Sequence, residues 1–197
     1  MLSEEALHRH LVDAVTRNGR LLLIRDPHQA PSCGAHGEGH AHHQESTEKK
    51  GASKWGGNSA HWPQDKKLES MHPDLRPRVQ GVLKGLIARK FQPMIFYGWR
   101  SIEVQKRKMK EGKSHVTFSF HNATDKDGTP RAYAADIVDE RWLWEPEAKK
   151  NGYWVALGAE AAANKLYWGG TWKHPDWAHV QLLPNAQLKH IRRACGY

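Results

Sequence analysis

Cysteine is nearly absent from this chain. Its 197 residues include two, Cys33 and Cys195, far apart and in no Cys-x-x-Cys arrangement. A cysteine-based zinc site is thereby excluded, and a disulfide framework is not expected. Long apolar runs are missing as well. The longest aliphatic run, Leu21 to Ile24, is far too short to span a bilayer. The opening residues Met1-Leu2-Ser3-Glu4-Glu5 lack a basic segment leading into an apolar one, so no secretory signal is expected. Apolar residues make up 39% of the chain, slightly few for a compact domain, which predicts that part of it is not packed. Acidic residues are in deficit, and the deficit is local. Residues 1–67 carry 9 Lys+Arg against 8 Asp+Glu, whereas residues 68–197 carry 21 against 13. A basic C-terminal two-thirds favours a polyanionic partner such as nucleic acid, a membrane surface or an anionic cell wall.

Three regions follow from the pattern that is present. In residues 1–26, Ser3 is a candidate helix cap, and Leu7, Leu11, Val12 and Val15 recur at helical spacing. Asn18-Gly19 then breaks the helix ahead of a short strand at Leu21 to Ile24. Residues 27–67, rich in Gly, Ser, His and Lys, read as a linker and give the chain a partly disordered N-terminal extension. Five histidines between His28 and His43 read as a solvated spacer ahead of a loose metal-binding tract, since no fixed ligand geometry is visible. Residues 68–197 read as the globular domain.

Within that domain, Pro73 suits the first turn of a helix whose stripe is Leu75, Val79, Val82, Leu83, Leu86 and Ile87. Met94 to Tyr97 is a short strand, and Ser101 caps a helix running to about Glu111. Tyr133 to Val138 is a strand and Tyr153 to Leu166 a helix. His179 to Leu182 is a last strand, and Ala186 to Ala194 a last helix. There is no βαβ repeat, so the class is α+β with a small antiparallel sheet flanked by helices.

Three segments carry the candidate chemistry. They are Ser119-Phe120-His121, Ala134 to Asp139, and Trp168-Gly169-Gly170-Thr171-Trp172 followed by Asp176-Trp177-Ala178-His179. Two imidazoles and a carboxylate are a ligand set for a metal that keeps one position open for water, and Asp176 adds a carboxylate to handle a proton. Together with Arg100-Ser101 and Gln105, these motifs stand in the order of the zinc D-Ala-D-Ala carboxypeptidase / L-alanyl-D-glutamate endopeptidase family. Residues from about 68 to 197 resemble that family, and its phage endolysin-type members most.

The resemblance implies a hedgehog/DD-peptidase-like fold and Zn2+ held by His121, Asp136 and His179. It implies Asp176 as general base and Arg100 as the residue that holds a substrate carboxylate or polarises the scissile carbonyl. Ser119 would bond to substrate or to a supporting group, with Gln105 a lesser candidate for the same role. His115 and His174 are expected to be non-ligands. One departure lies between His121 and Asp136, where Ala123 to Arg131 form a polar, turn-rich insertion that the family's shorter spacing lacks.

The expected function is zinc-dependent hydrolysis of peptidoglycan stem peptides by a monomer, as an L-alanyl-D-glutamate endopeptidase. D-Ala-D-Ala carboxypeptidase activity and a non-catalytic wall-peptide binding protein are the alternatives. No nucleic-acid partner is expected, because no such motif is visible. Without a signal, the expected route is cytoplasmic synthesis and release to the wall, for example through a holin pore.

Overall fold

The computed structural model describes residues 54–197. The expected helix–strand piece at 1–26, the histidine tract and the expected disorder of the extension lie outside the described residues.

Folded structure is already present at 54–67, inside the stretch whose composition reads as a linker. A 3-10 turn at Ser59–His61 leads into α1, Gln64–Glu69. Trp62 is buried there, its ring stacked 6.0 Å from that of Trp99. Lys67 is buried too, and its ammonium donates to the Ile95 carbonyl at 2.9 Å. Polar composition concealed this element because α1 is held by tertiary contacts and carries no apolar stripe of its own.

α2 spans Arg76–Ala88 and buries Val79, Val82 and Leu86. Its first turn holds Pro77, whereas Pro73 falls in the preceding turn, where the His72 carbonyl accepts from Leu75 N and Arg76 N. β1 is Pro93–Tyr97. α3 is Ile102–Lys110, capped as expected by Ser101 Oγ, which accepts from Val104 N at 3.2 Å. Arg107, Lys108 and Lys110 occupy its last turn, where the helix dipole favours cations. β2 is Ala134–Asp139. A five-residue helix α4, Pro146–Lys150, precedes α5, Tyr153–Ala163. α5 stops short of Leu166 because Lys165 takes a left-handed conformation, φ 57°. β3, β4 and α6 are Tyr167–Trp168, His179–Gln181 and Leu188–Ala194.

The four strands form one antiparallel sheet in the order β1-β2-β4-β3, so the fold is α+β. Ala135 and Ile137 of β2, Val180 of β4 and Ile95 of β1 share the main core with α2 and α5. Alternation along a strand then sends Asp136, His179 and Gln181 to the other face. The insertion after His121 forms a tight turn, with Asp125 N bonded to Thr129 O and Gly128 at φ 84°. A bridge between Thr124 and Pro130 closes it. Among the described residues, no helix is long and apolar enough to cross a membrane.

Candidate metal centre

The sheet register assembles the first two members of the site. Asp136 on β2 pairs directly with His179 on β4, so both side chains leave the sheet on one face from adjacent strands. The third comes from a 3-10 turn, Phe120–Asn122. Ser119 N donates to Asn122 Oδ1 at 2.7 Å, and Asn122 Nδ2 donates to the Arg100 carbonyl at 2.7 Å. Arg100 N in turn donates to the His121 carbonyl at 2.8 Å. These bonds tie the turn to the segment between β1 and α3 and aim His121 at the sheet.

His121 Nε2, Asp136 Oδ1 and His179 Nδ1 lie 3.1 to 3.2 Å from one another, and all three residues are buried. The outer nitrogens fix the tautomers. His121 Nδ1 faces the Gly98 carbonyl at 2.6 Å, which can only accept, so the proton is on Nδ1. His179 Nε2 faces Gln181 Oε1 at 2.9 Å. Gln181 Nε2 is committed to Leu183 O and Asn185 Oδ1, so this proton is on His179 Nε2. Both inner nitrogens therefore turn lone pairs toward a carboxylate oxygen. Three acceptors facing one another need a positive charge between them. Tetrahedral zinc with bonds of about 2.0–2.1 Å holds its ligand atoms roughly 3.3 Å apart, so the donor set fits such an ion, and the outer hydrogen bonds are those that orient metal-binding imidazoles.

The electrostatics are those of a tight cluster. Burial drives the His121 pKa down to about 4, against the pull of Asp136. Burial lowers His179 as well, but the hydrogen bond that its protonated ring can give to Asp136, and the charge of that carboxylate, prevail and raise it. Burial alone would raise Asp136, yet His121, His179 and Arg100 hold it well below the usual carboxylate value.

A cleft of about 1060 Å³ opens over the cluster, and Arg100, Ser119 and Asp176 also line it. Arg100 donates from one terminal nitrogen to Gln105 Oε1 at 2.9 Å and from the other to Asp136 Oδ2 at 3.1 Å. It thus grips the outer oxygen of the clustered carboxylate. Gln105 is fully engaged, also donating to Ser114 Oγ and Val116 O. Ser119 Oγ donates to Asn122 Oδ1 at 3.1 Å, within the turn that carries His121.

Asp176 is an exposed residue of the cleft wall. Loss of hydration around its carboxyl, and then repulsion from Asp136, raise its pKa, while His179, Arg100 and Lys108 pull the other way. The Trp168 to Trp172 segment is wall. Trp172 stands 5.1 Å from the His179 ring, and Trp168 Nε1 donates to Trp177 O. A Cβ on Gly169 would lie 2.6 Å from the Asp176 carbonyl oxygen and 3.2 Å from His179 Cβ, so only glycine lets the two loops approach this closely. Among the described residues, the cluster includes neither His115 nor His174.

Sequence reasoning missed Gly98, Asn122 and Gln181, which orient the two imidazoles. For Gln181 a signal existed, since it stands two residues past His179 and so on the same face of a strand. Gly98 acts through its carbonyl, which no residue type encodes.

No family model and no curated protein matches the chain. Among solved structures it is similar to the Serratia marcescens L-Ala D-Glu endopeptidase ChiX, at 22% identity and a TM-score of 0.45, over 61% of this chain and 86% of that one.

Proposed function

We propose that the chain is a zinc-dependent peptidase that cuts peptidoglycan stem peptides, between L-alanine and D-glutamate. The observation that carries this reading is the convergence of His121, Asp136 and His179 on one point, with a further carboxylate, Asp176, in the same cleft. The order of motifs from Arg100 to His179 supports the substrate class by resemblance.

His121 Nε2, Asp136 Oδ1 and His179 Nδ1 would hold the ion, which when bound supplies Lewis acidity and lowers the pKa of water toward ~7. Asp176 takes the proton of the attacking water and delivers it to the leaving amine. Its raised pKa suits a group that must both accept and release a proton. Arg100 keeps Asp136 oriented, and the remaining hydrogens on its terminal nitrogens can meet an oxygen of the substrate. The basic surface favours adhesion to an anionic wall.

The test is digestion of purified peptidoglycan with and without a chelator, with products read by mass spectrometry. New free D-glutamate amines that vanish with chelation support the endopeptidase. Release of D-alanine alone moves the activity to the carboxypeptidase branch. No product from the zinc-loaded protein defeats the enzymatic reading and leaves a wall-peptide binding protein.

A further inference from the structure

Most cations around the cleft are engaged or exposed. Arg100 is bonded to Gln105 and Asp136. Lys113 pairs with Glu111 at 2.9 Å, and Arg107 is exposed. Lys108 differs from all three. It stands three residues after the buried Gln105 and four after the buried Val104, on the face of α3 turned to the cleft. Its ammonium lies 4.7 Å from the centroid of the Tyr97 ring, the same ring that the Arg100 guanidinium meets at 4.5 Å. It is half-buried and has no hydrogen-bond or ion-pair partner among the described residues. Burial and the charge of Arg100 lower its pKa, with Asp136 and Asp176 acting in the opposite sense.

This is an unfavourable place for a lysine unless something completes it. An ammonium withdrawn from water without a partner costs free energy, and here it also shares one aromatic ring with a second cation. The ring recovers part of that cost. The carboxylates that influence Lys108 are otherwise occupied, Asp136 by the histidines and Arg100, and Asp176 by its proposed role at the water. Among the described residues, Lys108 is thus a half-buried, unpaired positive charge in the cleft wall, and a peptide anion is what fits it.

We propose that Lys108 determines specificity by binding a free carboxylate of the peptide substrate close to the scissile bond, so that the enzyme prefers acidic peptides to their carboxamides. The inference rests on the peptidase reading above and names the substrate chemistry that the same cleft selects. A D-glutamate joined onward through its side chain leaves its α-carboxylate free at that place, and its amidated form offers a neutral group of the same shape. Lysine serves as a point charge for such an anion, while Arg100 already gives one hydrogen of each terminal nitrogen to Gln105 and Asp136 and keeps no full pair for a bidentate grip.

The test uses two synthetic stem peptides that differ only in whether the D-glutamate α-carboxyl is free or amidated. The ratio of their kcat/KM values is measured for the zinc-loaded protein and for Lys108→Met and Lys108→Arg. The protein should favour the free acid by about tenfold or more, the scale of one charge-assisted hydrogen bond. Lys108→Met should bring the ratio close to one, and Lys108→Arg should keep most of the preference. Taking a ratio within each variant cancels any difference in its folded fraction. No preference in the unaltered protein, or equal losses on both peptides in Lys108→Met, overturns the assignment of Lys108 while leaving the peptidase reading intact. Failure to cleave either peptide defeats the peptidase reading itself, and this inference with it.

Discussion

At the scale of single residues, the carboxylates of the cleft divide into two kinds. Asp136 is clamped on both oxygens, one facing the imidazoles and the other Arg100. Asp176 has no such clamp, and its pKa is displaced upward, not downward. One is held charged and still, and the other is left free for the proton exchange proposed above. Asp176→Ala should therefore keep the metal and lose activity by about 10²–10⁴-fold, whereas His179→Ala should lose both. Metal analysis alongside kcat separates the two, and full activity in Asp176→Ala would remove it from the base role. Gln181 acts one bond further out, by holding His179 Nε2. Gln181→Leu leaves that N–H unpaired and should weaken zinc affinity by about 10–100-fold, as read by competition with a chromogenic chelator. These roles were legible to different degrees. The three clustered residues and Asp176 stood out because their side-chain types carry the chemistry. Gly98 and Asn122 did not, because they work through backbone groups and a turn that only tertiary structure brings together.

At the scale of elements, the segments with a strong local signal were readable. β1, β2, β4 and the Ser101-capped α3 sit within a residue or two of where periodicity and capping put them. The two-residue β3 and the five-residue α4 are too short for a period to show. α1 is polar in sequence and depends on its contact with β1, where Gln64 and Lys67 both donate to the Ile95 carbonyl. That arrangement has a measurable electrostatic signature. Burial lowers the Lys67 pKa from 10.5 to about 8, so between about pH 8 and 10.5 the unfolded chain binds the extra proton. By linkage, the penalty of this buried charge is present in full below pH 8 and fades as pH rises toward 10.5. In Lys67→Met the Ile95 carbonyl still accepts from Gln64. The variant should melt about 2–4 °C higher at pH 7, and the gain should shrink toward zero near pH 10.5. Paired thermal melts across that range check it, and a gain that grows with pH would reverse the sign of the argument.

At the scale of the whole molecule, the candidate site ties together segments far apart in the chain, since His121, Asp136 and His179 come from a turn and two strands. A cation bound by all three stabilises only the folded state. At a free zinc concentration about 100 times its Kd, the gain is about 2.7 kcal/mol, or roughly 5–10 °C in Tm for a domain of this size. Chelation should reverse that gain, and His179→Ala should melt at one temperature with or without chelator, as calorimetry can show.

The pairing of Asp136 with His179 across β2 and β4 reaches beyond catalysis. Side chains alternate along a strand, so a slip of one residue would swing Asp136 into the core and carry the neighbouring Ala135 or Ile137 into the cleft. The candidate ion-binding trio can therefore close only when the strands have met in the right alignment. In a refolding flask, metal taken up per chain becomes a tally of correctly zipped molecules, counting a topological event with a chemist's titration.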